Sequence, residues 1–395
     1  MSIKRTCRKL HLWIGFATGI IVFIVSMTGA LCLFKDEICT ITRPWKRVTP
    51  QNESFLEVSQ LVKIANKAEG NTNPSAITMG RKDESIWIDY FSEKDKSTIY
   101  LNPYNGNVLY QERKSENGFD FFQFLMDGHL RLWLPMEIGK PLVSYGVLLF
   151  FLTLLTGLAI WLPKRFNKKS LKSRLTFHHS LKPRRFIFDL HSVLGFYMLL
   201  PMITISLTGL IFGLDWFSQG IYKIVSGGNT MEAYTIPASD STNVGKSPAS
   251  INLLQDKILK EFPHAIQYYY SLPSDSLAPY RVSVVHEEGS YYKQDNLFFD
   301  QYSLKELKGS GPYAGRYQDG TFADKLIHAS LDIHEGIILG FFGKLIMFMA
   351  SLTAASLPIT GYLLWRKNRV DVGDYSPSTS HCTVRTGLVY GATYI

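Results

Sequence analysis

The chain has 395 residues, 46% of them hydrophobic and 13% aromatic, and carries a formal net charge of +9. A mean hydropathy near zero is too high for an ordinary soluble chain and too low for a purely membrane one, so two kinds of segment are expected. The basic excess does not signal nucleic-acid binding, because the Lys and Arg residues cluster at the ends of hydrophobic runs.

Four runs lack Asp, Glu, Lys and Arg: 10–34, 141–162, 190–214 and 345–365. At about 1.5 Å per residue each can cross roughly 30 Å of hydrocarbon. The first follows a basic start (Lys4, Arg5, Arg8, Lys9), yet it is long and lacks a small-residue cleavage site before Lys35-Asp36-Glu37, so it reads as a retained helix rather than a signal peptide.

Charge orients the spans. Residues 1–9 hold four basic and no acidic residues, and 163–185 hold nine and none; 35–137 hold 13 basic against 15 acidic, and 215–335 hold 10 against 15. Basic segments stay on the cytoplasmic side. The expected order is a transmembrane helix at 10–34, a periplasmic module at 35–137, a helix at 138–162, a basic cytoplasmic loop at 163–189, a helix at 190–214, a second periplasmic module at 215–336, a helix at 337–365 and a cytoplasmic tail at 366–395. This is a multi-pass protein of a bacterial inner membrane with both termini cytoplasmic. Its four cysteines, Cys7, Cys32, Cys39 and Cys382, show no metal-like spacing and no disulfide framework.

The spans carry an internal repeat. The first reads His11-Leu-Trp-Ile-Gly15 and later Thr28-Gly29; the third reads His191-Ser-Val-Leu-Gly195 and later Thr208-Gly209, at identical offsets. Eighteen residues make five helical turns, so each histidine shares a face with the far glycine, and the near glycine stands about 40° away. The second and fourth spans repeat as Thr156-Gly157-Leu-Ala-Ile-Trp161 and Thr360-Gly361-Tyr-Leu-Leu-Trp365. Upstream, His129 precedes Gly139-Lys140 by ten residues and His334 precedes Gly343-Lys344 by nine, a one-residue slip.

The segments between spans also echo each other. Thr98-Ile-Tyr-Leu-Asn-Pro-Tyr-Asn-Gly reads as a strand and a turn, and the sequence from Asn296 to Leu307 occupies the same place in the second half. A helix-like stretch precedes each, at 53–67 and 250–261. Each outer segment is therefore expected to be a small α+β module.

These motifs together resemble the PepSY-associated transmembrane family, the iron-regulated membrane proteins that include siderophore reductases. The likeness rests on His11-Leu-Trp-Ile-Gly15 with 28–38, Asp189-Leu-His-Ser-Val-Leu-Gly-Phe196 with Leu207-Thr-Gly-Leu210, Ile333-His-Glu-Gly336 ahead of Thr360-Gly361, and the Tyr-Leu-Asn-Pro-Tyr-Asn-Gly element, and it covers residues 1 to about 370. It implies a four-transmembrane-helix bundle with two PepSY-like modules, haem b held by helix histidines, and reduction of ferric siderophores arriving from outside. His129 departs from the family pattern, lying in Asp127-Gly-His-Leu-Arg131, and His178-His179 are additional.

Two imidazoles on one iron leave no open coordination site and serve electron transfer. On this reading His11 and His191 ligate one haem and His129 and His334 a second, with His328 as a substitute ligand or a polar neighbour of the reduction site. Gly15, Gly29, Gly195 and Gly209 clear room for the flat macrocycle; small-residue helix packing is the rival explanation for them. Interfacial anchoring is the rival role for any one histidine. His178 and His179 read as solvated or lipid-facing residues.

No nucleotide-binding fingerprint occurs, so the electron donor is expected to be a quinol or a separate protein. The acceptor is a ferric siderophore or another periplasmic oxidant. Two other functions fit the same motifs: a membrane-anchored PepSY module that regulates or inhibits a peptidase, and an electron conduit to another periplasmic redox enzyme.

Overall fold

The computed structural model describes residues 3–70, 72–92, 95–115, 118–177 and 183–373; His178, His179, His381 and Cys382 lie outside them. In chain order the first half runs α1 (Ile3–Cys32), α2 (Lys35–Thr42), α3 (Val58–Glu69), β1 (Ala76–Met79), β2 (Ile86–Phe91), β3 (Asp95–Leu101), β4 (Val108–Ser115), α4 (Phe121–Arg131) and α5 (Met136–Trp161). After α6 (Lys168–Leu175), a bent helix comprises α7 (Pro183–Asp189), a π-helical turn (Leu190–Leu194), α8 (Gly195–Tyr197) and α9 (Leu199–Gly213). Then follow α10 (Asp215–Val225), α11 (Ile251–Glu261), β5 (Gln267–Ser271), β6 (Tyr280–Val285), β7 (Gln294–Phe299), β8 (Glu306–Leu307), α12 (Phe322–Glu335) and α13 (Gly340–Gly373).

Among the described residues, α1, α5 and the stretch Ile337–Arg366 are each long and apolar enough to cross a membrane, and the pair Pro183–Tyr197 and Leu199–Gly213, bent by 64°, qualifies jointly. The expected straight helix over 190–214 is thus bent, and it begins earlier. Pro201 is the cause: it has no N–H to offer the carbonyl one turn back, and its ring pushes that turn away. Met198 takes up the break with φ −90° and ψ 4°. The π-helical turn before it holds His191, and such bulges gather where a side chain must be re-aimed.

His129 and His334 lie outside the long helices, within the segments expected at 35–137 and 215–336. They sit on α4 and α12, separate helices that fold back through an elbow. At the first elbow Leu132 and Trp133 both adopt positive φ, and at the second Gly336 and Gly340 do so. A Cβ on Gly139 would lie 2.2 Å from the Arg131 carbonyl oxygen, and one on Gly343 would lie 2.0 Å from that of Gly336, so only glycine admits either turn. The one-residue slip between the halves is absorbed here.

The outer strands form one antiparallel sheet of eight strands in the order β4-β3-β2-β1-β5-β6-β7-β8. The strands of the two outer segments join through one seam: β1 of the first half pairs with β5 of the second, Ala76 opposite Ser271 and Met79 opposite Tyr268. α3 and α11 cover one face through Val58, Leu61, Leu254 and Ile258, packed on Ile77, Ile88, Tyr270 and Val282. Their N-termini meet, and Asn252 Oδ1 accepts from the Ser59 amide at 2.9 Å while its Nδ2 donates to Glu57 Oε2. A strand edge that would otherwise stay unpaired in each half is thereby closed.

Asp89 in β2 is 7% exposed and faces Thr98 in β3, whose hydroxyl donates to Asp89 Oδ1 at 2.6 Å. Burial raises its carboxyl above the ordinary value. A carboxyl with a raised folded-state value supports folding fully below the unfolded value near 3.8 and loses that support as pH rises through the folded one. Asp89→Asn, which keeps the acceptor without the charge, is expected to raise the thermal midpoint at pH 7. The gain over the parent should vanish on acidification below about pH 4, as read by intrinsic fluorescence in a thermal ramp.

Candidate functional site

Four histidines meet in two pairs. The ring centres of His11 and His191 are 6.2 Å apart with their planes at 89°, and those of His129 and His334 are 6.2 Å apart at 68°. The first pair joins α1 to the π-helical turn, far from the sheet, and the second joins α4 to α12, next to it. Metal–imidazole bonds of about 2.0 Å would set two ring centres on one metal ion about 6.3 Å apart. Both pairs meet that separation.

Every one of the four rings uses Nδ1 inside the protein. His11 Nδ1 lies 3.0 Å from the Thr153 carbonyl oxygen and 3.3 Å from Thr156 Oγ1. His129 Nδ1 lies 2.8 Å from the Val25 carbonyl oxygen. His191 and His334 use hydroxyls, Thr360 Oγ1 and Thr208 Oγ1, each at 2.9 Å. Those two hydroxyls donate their own hydrogens back into their helices, to Ser356 and Leu357 and to Thr204 and Ile205, and so accept from the histidine. Carbonyls also only accept. Nδ1 therefore carries the proton in all four rings, which leaves the Nε2 lone pair for a metal.

The Thr-Gly pairs explain how the rings are seated. A Cβ on Gly157 would lie 3.1 Å from His11 Cε1, on Gly29 2.8 Å from His129 Cε1, on Gly361 3.3 Å from His191 Cε1 and on Gly209 3.6 Å from His334 Cε1. Each cradle is a threonine or the carbonyl three residues before it, followed by a glycine on which a histidine from another helix rests. Gly29 and Gly209 thus differ from expectation: each accommodates a neighbouring histidine ring. A Cβ on Gly15 would meet nothing within 4 Å, which leaves open helix surface near His11, whereas one on Gly195 would meet Leu357 Cδ2 at 3.4 Å, an ordinary packing contact.

Aromatic rings brace the same helices. Phe196, five residues after His191, stacks on Trp161 at 3.7 Å and 6°, while Phe16, five residues after His11, meets Trp365 edge-on at 5.0 Å. Trp161 Nε1 is buried and takes no partner among the described residues, a polar atom facing the neighbourhood of the sheet-distal pair that a bound polar group would satisfy. These four Thr-Gly pairs stand in the sequence at matching places in the two halves, 28–29 with 208–209 and 156–157 with 360–361, which was the available signal. His328 stands apart, with Nδ1 2.8 Å from the Tyr292 carbonyl oxygen, and belongs to neither pair. His286 is paired with Asp295 at 2.8 Å, and His264 has no place in the site. Among the described residues no group of three or more His, Cys, Asp or Glu side chains could hold a metal, so each candidate centre rests on two imidazoles alone.

Long apolar helices with two such histidine pairs among and beside them, joined to an α+β domain, define a multi-pass membrane protein with a sheet domain. The family model described as the PepSY-associated TM region matches residues 8–368, and the chain belongs to that family. Comparison with curated proteins found no match.

Proposed function

We propose that this protein is an inner-membrane haem b oxidoreductase that carries electrons across the membrane to a periplasmic acceptor, a ferric siderophore that releases its iron as Fe(II) on reduction. The observation that carries the reading is the paired imidazoles, both at 6.2 Å, with Nδ1 engaged in every ring and no partner on Nε2 among the described residues. In this reading the helices form a four-helix bundle of two related halves, since each half supplies one histidine to each pair and each rests on a Thr-Gly cradle of the same build. His11 and His191 hold one haem near the cytoplasmic face, and His129 and His334 hold the other beneath the periplasmic sheet. Haem b bound by two imidazoles supplies one-electron transfer without an open coordination site. The protein's own part is to fix ring tautomer and orientation and to keep the centres among apolar helices away from water. Electrons enter from a quinol or a separate donor on the cytoplasmic side.

The absorption spectrum of detergent-purified protein tests this. Sharp reduced bands of six-coordinate haem, with two haems per chain, are expected; a colourless protein from haem-replete cells would instead favour a membrane-anchored PepSY module. Mixing the reduced protein with ferric siderophores should reoxidise it, and no reoxidation across a panel would favour a conduit to another redox protein. A finer test uses Thr360→Val, which removes the acceptor for His191 Nδ1–H while keeping the side chain's shape. Loss of such an outer hydrogen bond typically weakens metal affinity by roughly 10- to 100-fold, so haem at the sheet-distal site should transfer to apomyoglobin faster than in the parent.

A further inference from the structure

Six residues before His334, His328 lines a cavity of about 580 Å³ between β7, the loop from Lys308 to Gly320 and the start of α12. It is 7% exposed, its Nδ1 donates to the Tyr292 carbonyl, and no partner takes its Nε2 among the described residues. Burial holds the imidazole below its ordinary value, so the ring is neutral at pH 7 and Nε2 is a lone-pair acceptor. The rings of Tyr313 and Tyr317 flank it at 4.9 and 6.1 Å.

The charges around the cavity select among ligands. Arg316 is tied to Glu306 at 2.7 Å and also to Glu261, so it offers no free cation. Lys325 is bonded to the Gln318 carbonyl and lies over the Tyr317 ring. Asp324 is held ionised by hydrogen bonds from Thr321 and Tyr222 despite partial burial, and Glu232 and Asp319 also line the space. Apart from the Arg316–Glu306 pair, which also lines the cavity, three carboxylates stand against Lys308 and Lys325. A polyanion is disfavoured, and an uncharged or cationic molecule with hydroxyl or amide donors fits. The volume lies within the range of small-molecule sites.

We propose that this cavity binds the oxidised electron acceptor as an uncharged or cationic chelate, which donates a hydrogen bond to His328 Nε2. This rests on the electron-transfer reading above and adds the place and charge class of the acceptor. On α12 the cavity stands less than two turns from His334, which brings a ligand bound there close to the sheet-proximal pair.

Equilibrium dialysis of the purified full-length protein in detergent tests it, with uncharged ferric tris(acetohydroxamate) and trianionic ferric tris(catecholate) as probes. Saturable binding of the uncharged probe is expected, and the trianion should bind at least about ten-fold more weakly. His328→Phe should weaken the uncharged probe by about ten-fold, the scale of one buried hydrogen bond. Glu232→Lys, at an exposed position that leaves folding intact, should narrow the gap between the probes. The inference is overturned if neither probe saturates or if both variants bind as the parent does. Haem absorbance of the same samples separates the two readings: colourless protein that binds the probe retains this site and defeats the haem reading, and coloured protein that binds nothing does the reverse.

Discussion

Replacing His191 by alanine is expected to halve the bound haem and to leave the remaining haem six-coordinate. His191 and His11 face each other at 6.2 Å, and no other histidine among the described residues reaches that pair, so the lost imidazole has no substitute. The other pair lies at the opposite end of α1: its partner cradle at Gly29 is eighteen residues, roughly 27 Å of helix, from His11. The sites should therefore fail independently. His334→Ala should remove the other half, and the double variant should be colourless yet still insert. The haem-to-protein ratio and the low-temperature spectrum of each variant check this. Loss of both haems from either single change would overturn the two-site arrangement.

Gly29→Ala and Gly209→Ala should give opposite results despite their matching sequence positions. A Cβ at position 29 would lie 2.8 Å from His129 Cε1 and 2.9 Å from its Nδ1, closer than a carbon can stand, so the ring must leave the Val25 carbonyl. At position 209 the corresponding contact is 3.6 Å, an ordinary packing distance. Gly29→Ala is expected to weaken haem at the sheet-proximal site by roughly 10- to 100-fold, the cost of a displaced ligand support, while Gly209→Ala retains it and only fills space. Haem retention during competition with apomyoglobin reports both. Equal retention in the two variants would show that the glycines serve helix packing alone.

The legible parts of this protein were those governed by local physics. Spans appear as charge-free runs because hydrocarbon tolerates no unpaired ion over that length. The strand and helix stretches of the sheet domain, such as α11 and β7, follow from period and turn chemistry. His11 and His191 stood out because eighteen residues complete whole helical turns. The bend at Met198 was also readable in principle, since Pro201 lies within the third span, yet a proline alone does not say whether a helix kinks or breaks.

The pairings between helices were not legible. That His11 rests on Gly157 of α5, and His129 on Gly29 of α1, depends on which helices become neighbours, and a periodic pattern describes one helix at a time. The same holds for the seam between β1 and β5, where two sheets of similar pattern become one because each had an edge to close. The amino-acid sequence by itself determined the apolar spans, through length and charge, singled out the four histidines, through their spacing within the repeat, and carried the motifs that resemble the family. Only the tertiary structure decided that each glycine serves a neighbouring helix's histidine, that Thr360 and Thr208 fix the ring proton, and that His328 stands in a separate cavity, because those relations arise from contacts between segments far apart in the chain.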